Sequence, residues 1–342
     1  MQTSRESPWI IAVSLALLIA GPALWLAWQA KYLWLNVSPA LIVLGAYFWM
    51  SALAAMIVTS FRDPGILPRH LDPHPERESQ ATTPFGTEEP YPPAKDRTVH
   101  LQRVDDGGVP EKGTDVEILS RWCTSCQVYR PPRCSHCRSC DNCVDGLDHH
   151  CVFLNACIGR RNYTTFYGML CHMLGLCFVG LSGCILHLYY LAVPRDPRAK
   201  RGFVHALKTS PASVAFFWIV LIWLIPVSCL WTYHTWLLFQ NRSTVEQIRL
   251  EAMDHLYDMP RSATDCFETN VCLRHLTRCS AAVRSWFVPA DFMTQPAAAK
   301  KEREAQRRRT PFQFANPLRN VFVVLGRPTP APYLRWSQRA AS

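Results

Sequence analysis

Charged side chains are scarce in this chain: Asp, Glu, Lys and Arg make up 18% of its 342 residues, against about 25% in an average soluble domain. Glycine is sparse as well, at 15 residues, which excludes a collagen-like repeat. A hydrophobic share of 49% excludes disorder of the chain as a whole. The lack of charge is concentrated in four places. Residues 7–30, 32–61, 162–194 and 209–241 contain no acidic or basic side chain, in runs of 24, 30, 33 and 33 residues. A helix needs roughly 20 apolar residues to cross a bilayer. The composition therefore predicts a polytopic α-helical membrane protein of four transmembrane helices, with a soluble insert between the second and third.

The spans are expected at 9–28, 35–59, 166–191 and 214–239. A cleaved signal peptide at the start is disfavoured, because the first apolar run exceeds the roughly 7–15 residues of such a peptide and a second span follows Lys31. Four crossings put the amino terminus, the insert and the tail on one side. The tail beyond Gln240 has 16 basic against 9 acidic residues, whereas the insert 62–161 has 13 against 15. The positive-inside rule thus favours a cytosolic tail, although Arg195, Arg198, Lys200, Arg201 and Lys208 in the opposite loop dissent. The expected division is 1–61 (spans one and two), 62–118 (cytosolic segment with a flexible linker), 119–165 (cysteine-rich module), 166–241 (spans three and four with a lumenal loop) and 242–342 (basic cytosolic tail).

Of 15 cysteines, eight lie between Cys123 and Cys157. An oxidised disulfide module would use such a set, but Cys123-x2-Cys126 and Cys137-x2-Cys140 are tight pairs of the metal-site kind, and three histidines interleave with them. Zinc uses histidine; disulfides do not. A reduced zinc module also agrees with a cytosolic insert. The eleven donors are Cys123, Cys126, Cys134, His136, Cys137, Cys140, Cys143, His149, His150, Cys151 and Cys157. Two closed tetrahedral sites take eight and leave three. Adjacent side chains in extended chain face opposite ways, so His149 and His150 cannot both serve one metal alike. Asp148-His149-His150-Cys151 then reads as a carboxylate, an imidazole and a thiol on a metal-pinned scaffold. The carboxylate can orient the imidazole, and the imidazole can draw the proton from the thiol.

The run Cys123-x2-Cys126-x3-Arg130-Pro131-x-Arg133-x2-His136-Cys137-x2-Cys140-x2-Cys143-x4-Asp148-His149-His150-Cys151-x5-Cys157-x4-Asn162-x3-Phe166 resembles the DHHC-type protein S-acyltransferases. These palmitoyltransferases load fatty acids onto cysteines of other proteins. The resemblance extends to the four spans, to Asp63-Pro64-Gly65 after the second, and to Ser243-Thr244-Val245-Glu246 after the fourth. The family usually has Thr at the position of Ser243. Thr310-Pro311-Phe312 and Asn320-Val321-Phe322 are similar to its carboxyl-terminal motif, with Asn320 as the motif's asparagine. Arg62 to Arg69, Tyr129 to Arg133 and Cys140 to Gly146 resemble the fungal Ras-type subgroup, which implies a small GTPase substrate and a small accessory subunit.

The resemblance implies two structural zinc ions, one on Cys123, Cys126, His136 and Cys143 and the other on Cys137, Cys140, His150 and Cys157. Asp148, His149 and Cys151 become the catalytic set, and Asp63, Pro64, Gly65, Thr244, Glu246 and Asn320 structural motif positions. The reaction implied is ping-pong transfer from palmitoyl-CoA through a Cys151 thioester to membrane-proximal cysteines of protein substrates. Arg133, Arg160 and Arg161 are candidates for the anionic CoA. Cys134 stands where the family has a small residue. The tail cysteines Cys266, Cys272 and Cys279 are possible acyl acceptors. Cys171, Cys177, Cys184, Cys229, His172, His187 and His234 are expected to be bundle residues without a chemical role. The rival function is a membrane-anchored, RING-like zinc interaction module, which gives no reason for the spare Asp-His…Cys set. A nucleic-acid partner is disfavoured because the insert carries no basic stripe. The fungal likeness implies the endoplasmic reticulum, with the Golgi as alternative.

Overall fold

The computed structural model describes residues 9–75, 96–103, 116–193, 202–258, 312–314, 316–326 and 334–337. Four of its helices are long and apolar enough to span a membrane: α1 (Trp9–Asn36), α2 (Pro39–Phe61), α3 (Tyr163–Ala192) and, after the short α4 (Phe203–Thr209), α5 (Pro211–Gln240). α1 runs eight residues past the expected Trp28 and through Lys31. A lysine near a span's end can extend its stem along the apolar face and keep its ammonium in the interface, so the charge does not break the helix. Pro22 and Pro226 lie inside α1 and α5; neighbouring spans and local adjustment make such prolines tolerable in a membrane. Ser38 starts α2 by accepting a hydrogen bond from the Ala40 amide, with Pro39 in the first turn, where its missing N–H is no loss.

α3 is the central helix and packs against α2 on one side and α5 on the other. Lipid supplies no hydrophobic drive between spans, so close contact depends on small residues. A side chain at Gly175 would meet the Phe48 ring at 2.6 Å. The cysteine-rich module hangs from the start of α3 as three two-stranded antiparallel hairpins. They are β3/β4 (Trp122–Cys123, Val128–Tyr129), β5/β6 (Ser135–Cys137, Asn142–Val144) and β7/β8 (His149–Cys151, Ala156–Ile158). Asn162 fixes the module to the bundle. Its side-chain amide donates to the Thr59 carbonyl of α2 (3.1 Å) and the Cys157 carbonyl of β8 (3.0 Å), and its oxygen accepts from the Gly159 amide.

Part of the expected linker is ordered. Within 62–118, β1 (Arg97–Arg103) pairs antiparallel with β2 (Val116–Ser120) and with β9 (Leu334–Ser337) from the tail. The Pro- and Glu-rich surroundings hide two short stretches, around Val99 and Ile118, that have strand character. Beyond α5 come α6 (Thr244–Asp258) and α7 (Pro317–Gly326). The tail cysteines Cys266, Cys272 and Cys279 and the basic run 300–309 lie outside the described residues.

A candidate acyl-transfer site on two metal-type cysteine clusters

Two four-donor sets form in the module: Cys123, Cys126, His136 and Cys143, and Cys137, Cys140, His150 and Cys157. Strand register builds them. His136 faces Cys143 across β5/β6, and His150 faces Cys157 across β7/β8, so each set takes one cross-strand pair and one Cys-x2-Cys turn. Pleat alternation sends Cys137 to the second set although its neighbour His136 belongs to the first. The Nδ1 atom of His136 lies 3.5, 3.5 and 3.8 Å from the sulfurs of Cys123, Cys126 and Cys143. His150 Nδ1 lies 3.7, 3.3 and 3.7 Å from those of Cys137, Cys140 and Cys157. Ligands on a tetrahedral zinc, with Zn–S near 2.3 Å and Zn–N near 2.0 Å, stand about 3.6 Å apart. The residues therefore fit the metal.

Cys134 is a further thiol at the first set, buried with Cys123, Cys126 and Cys143. It shares a hydrogen bond with Cys143, which together with burial drives that thiol upward. Arg133, just before it, has a positive φ of 64° and closes a turn in which the Cys134 amide donates to the Pro131 carbonyl.

The same alternation in β7 turns His149 and Cys151 away from the face His150 uses. Asp148 is 1% exposed and its carboxylate is held by three donors. The Thr244 amide donates to its Oδ1 at 2.8 Å, while the Thr244 hydroxyl (2.8 Å) and His149 Nδ1 (2.7 Å) converge on Oδ2. Burial works to raise the Asp148 carboxyl, but the His149 and Thr244 interactions hold it below its ordinary value. Burial likewise works to lower His149; its hydrogen bonds to Asp148 and Cys151 prevail and carry it up to about 9. With Nδ1 directed at Asp148, Nε2 is the nitrogen left for Cys151. The thiol itself packs at the edge of an apolar cluster that includes Met56, Leu154, Phe166, Met169, Leu170 and Leu238, where the module meets the helices.

The motif positions outside the module lock it in place. Asp63 Oδ1 accepts from the amides of Gly65 and Ile66, and its other oxygen pairs with Arg161. The Gly65 carbonyl then accepts from the Asp145 amide. Pro64 presses on Gly159, where a Cβ would sit 2.5 Å from the Pro64 carbonyl oxygen. At the start of α6, Ser243 and Glu246 exchange hydrogen bonds as a capping box: the Ser243 amide donates to Glu246 and the Ser243 hydroxyl accepts from the Glu246 amide. Glu246 also takes a two-pronged ion pair from Arg133, at 2.9 Å on each side. Arg133 reaches both the side chain and the carbonyl of Asn241 and lies over the Phe312 ring. Its guanidinium thus joins the module to the end of α5. Arg160 and Arg161 stay nearer the surface, paired with Asp145 and Asp63. Asn320 is fully buried; it donates to the carbonyls of Phe239 and Phe314 and accepts from the Phe314 amide.

Sequence reasoning took His234 for a satisfied bundle residue; it is 2% exposed and grouped with Asp148 and His149. Its spacing held a signal: with Leu237, Leu238 and Asn241 it marks one helical face, and all four are buried.

A bundle of four membrane-length helices carrying a Cys/His metal-type module, beside the buried Asp148 and the half-buried His149 and Cys151, defines a polytopic helical protein with a candidate nucleophile site. The profile of the family described as DHHC palmitoyltransferase matches residues 117–251, so the chain carries a domain of that family. It is 28% identical to Palmitoyltransferase erf2 of Emericella nidulans over 98% of this chain and 45% of that protein. It is 31% identical to Palmitoyltransferase ZDHHC9 of Homo sapiens over 70% of this chain and 62% of that protein. With Palmitoyltransferase ZDHHC14 of Mus musculus the identity is again 31%, over 70% of this chain and 46% of that protein. The chain thus spans about half to three fifths of the length of these curated relatives.

Proposed function

We propose that the protein is a protein S-acyltransferase that moves palmitate from palmitoyl-CoA through a Cys151 thioester to cysteines of other proteins. The observation that carries this reading is the buried Asp148–His149 pair beside a thiol at the edge of an apolar cluster. His149 Nε2 takes the proton from the Cys151 sulfur, and the thiolate attacks the thioester carbonyl. As the C–S bond to CoA breaks, the CoA thiolate leaves with the proton from His149, and palmitoyl-Cys151 remains. A substrate cysteine then attacks that thioester. It gives its proton to His149, which returns it to the departing Cys151. Asp148 holds the imidazole throughout, with Thr244 fixing Asp148.

Zinc, held by the two sets named above, would supply cross-links alone, since four protein ligands close each site and leave no position for substrate. Burying a sixteen-carbon chain is worth roughly 0.8 kcal/mol per methylene, which favours a thiol beside apolar helices over one in water. Arg160 and Arg161 are the basic residues we assign to the anionic CoA. The protein substrates are assigned as proteins with membrane-proximal cysteines, small GTPases among them, with a small accessory subunit as partner. The amino terminus, module and tail are assigned to the cytosol, at the endoplasmic reticulum membrane. Within this reading the division at 1–61, 62–118, 119–165, 166–241 and 242–342 separates the membrane pairs from the working module and its tethers.

The test is incubation of the full detergent-solubilised chain with a clickable palmitoyl-CoA analogue, wild type beside Cys151→Ser, with and without neutral hydroxylamine. The expected result is a hydroxylamine-labile label that the serine variant lacks. Label persisting in the variant, or none on zinc-loaded wild type even with a candidate accessory subunit added, overturns the reading.

A further inference from the structure

We propose that His234 is a positioning residue that keeps His149 aligned between Asp148 and Cys151; the inference deepens the acyl-transfer reading and depends on it. His234 belongs to α5, the last span, where an imidazole is a costly choice of core residue. It is nonetheless almost fully buried, with its ring beside that of His149. A polar atom of each of Asp148, His149 and His234 lies within 4.8 Å of the other two.

The His149 ring packs against two others. The Phe166 centroid is 5.2 Å away, edge-on, and the His234 centroid is 5.8 Å away at 38°. Phe166 and His234 also touch each other, 5.0 Å apart and nearly perpendicular, so they form one continuous wall. His234 is itself fixed, because its Nδ1 lies 3.1 Å from the Tyr163 hydroxyl at the head of α3. A chain of contacts therefore runs from α3 through Tyr163 to α5 and on to β7. Its effect is to let the membrane helices set the angle of an imidazole that the module supplies. With His234 removed, His149 gains room to swing from the line joining Asp148 to Cys151. A misplacement of about 1 Å in such a relay can cost on the order of 100-fold in rate. His234 touches neither thioester nor thiol, so it acts through His149.

The experiment compares full-length wild type with His234→Phe, His234→Gln and Tyr163→Phe. Four quantities are read: zinc per chain, melting temperature, kcat and KM for acylation of Cys151, and the rate of Cys151 alkylation by iodoacetamide. His234→Phe should lower kcat by about tenfold or more with KM little changed, and slow alkylation, while zinc stays at wild-type content. His234→Gln, whose amide can still reach Tyr163, should recover part of the loss, and Tyr163→Phe should show a milder loss. Rates within about twofold of wild type in His234→Phe would refute the role. So would a loss of rate that tracks loss of zinc and a lower melting temperature, which would make His234 a packing residue. Loss of one zinc equivalent from a wild type holding three would also overturn the proposal, in favour of a metal on Asp148, His149 and His234. If wild type is not acylated at Cys151, the acyl-transfer reading fails by itself, and the alkylation rates still decide whether His234 governs the thiol's environment.

Discussion

Replacing Thr244 with valine tests the site at its most economical point. The Thr244 hydroxyl donates to Asp148 Oδ2, the oxygen that also receives His149 Nδ1. Valine keeps the shape, and the backbone amide still serves Oδ1. One hydrogen bond to an almost fully buried carboxylate disappears, which costs about 1.5–3 kcal/mol. If that energy appears in the transition state, in which His149 becomes an imidazolium beside Asp148, acylation slows by about 10- to 100-fold. The assay is the single-turnover rate of Cys151 acylation with an acyl-CoA analogue, alongside zinc content measured on the same preparation. Thr244→Ser restores the hydroxyl and should recover most of the rate. A Thr244→Val rate within twofold of wild type, at full zinc content, would show that Asp148 does not depend on the hydroxyl and would remove α6 from the catalytic argument.

Cys151→Ser should keep the zinc content of wild type while abolishing acylation, whereas Cys143→Ser should lose zinc; mass spectrometry of the intact protein distinguishes them. Breaking the Arg133–Glu246 pair, whose side chains are 24% and 16% exposed, with Glu246→Ala should cost about 1.5–3 kcal/mol and appear as a lower melting temperature. A Glu246→Ala variant that melts like wild type would contradict this. His149, carried up to about 9, contributes stability that is complete below its unfolded-state value near 6.5 and lost as pH rises through about 9, with a ceiling of about 3 kcal/mol. The melting temperature of wild type should fall across that window more steeply than that of Asp148→Asn, and equal slopes would exclude the contribution. Gly159→Ala forces a Cβ onto the Pro64 carbonyl and should impair folding, read as loss of monodisperse, zinc-loaded protein.

Although the division into two sets came from the family resemblance, the pool of metal-type donors was legible because ligand chemistry restricts both residue type and spacing, and a pleated strand alternates its faces whatever surrounds it. Two adjacent histidines therefore had to part company, and the cross-strand pairing of His150 with Cys157 makes the division concrete. Ser243 and Glu246 entered through the family resemblance alone, and the capping box they form emerges only in the structure. Arg133 was not legible in its structural role. Its assignment to phosphate followed from charge and nearness in sequence, whereas its partners Glu246 and Asn241 come from residues more than a hundred positions away. His234 was hidden by a similar distance: on an apolar span one imidazole looks like filler until the fold brings β7 against it. The strands β1 and β2 escaped notice because their pairing lies within a polar, proline-rich segment whose average composition resembles a linker.

The contact between Thr244 and Asp148 has a consequence for how this chemistry can be taken apart. The thiol and its imidazole come from one contiguous stretch of chain, but their alignment comes from residues on either side of a double passage through lipid. A fragment covering 119–165 would keep every metal-type donor and Cys151, yet lack Phe166, His234, Thr244 and Glu246. Such a fragment would be a zinc peptide with an ordinary cysteine. Alignment in this protein is thus a property of closure: the chain must pass through two further membrane-length helices before the site laid down by the module is complete.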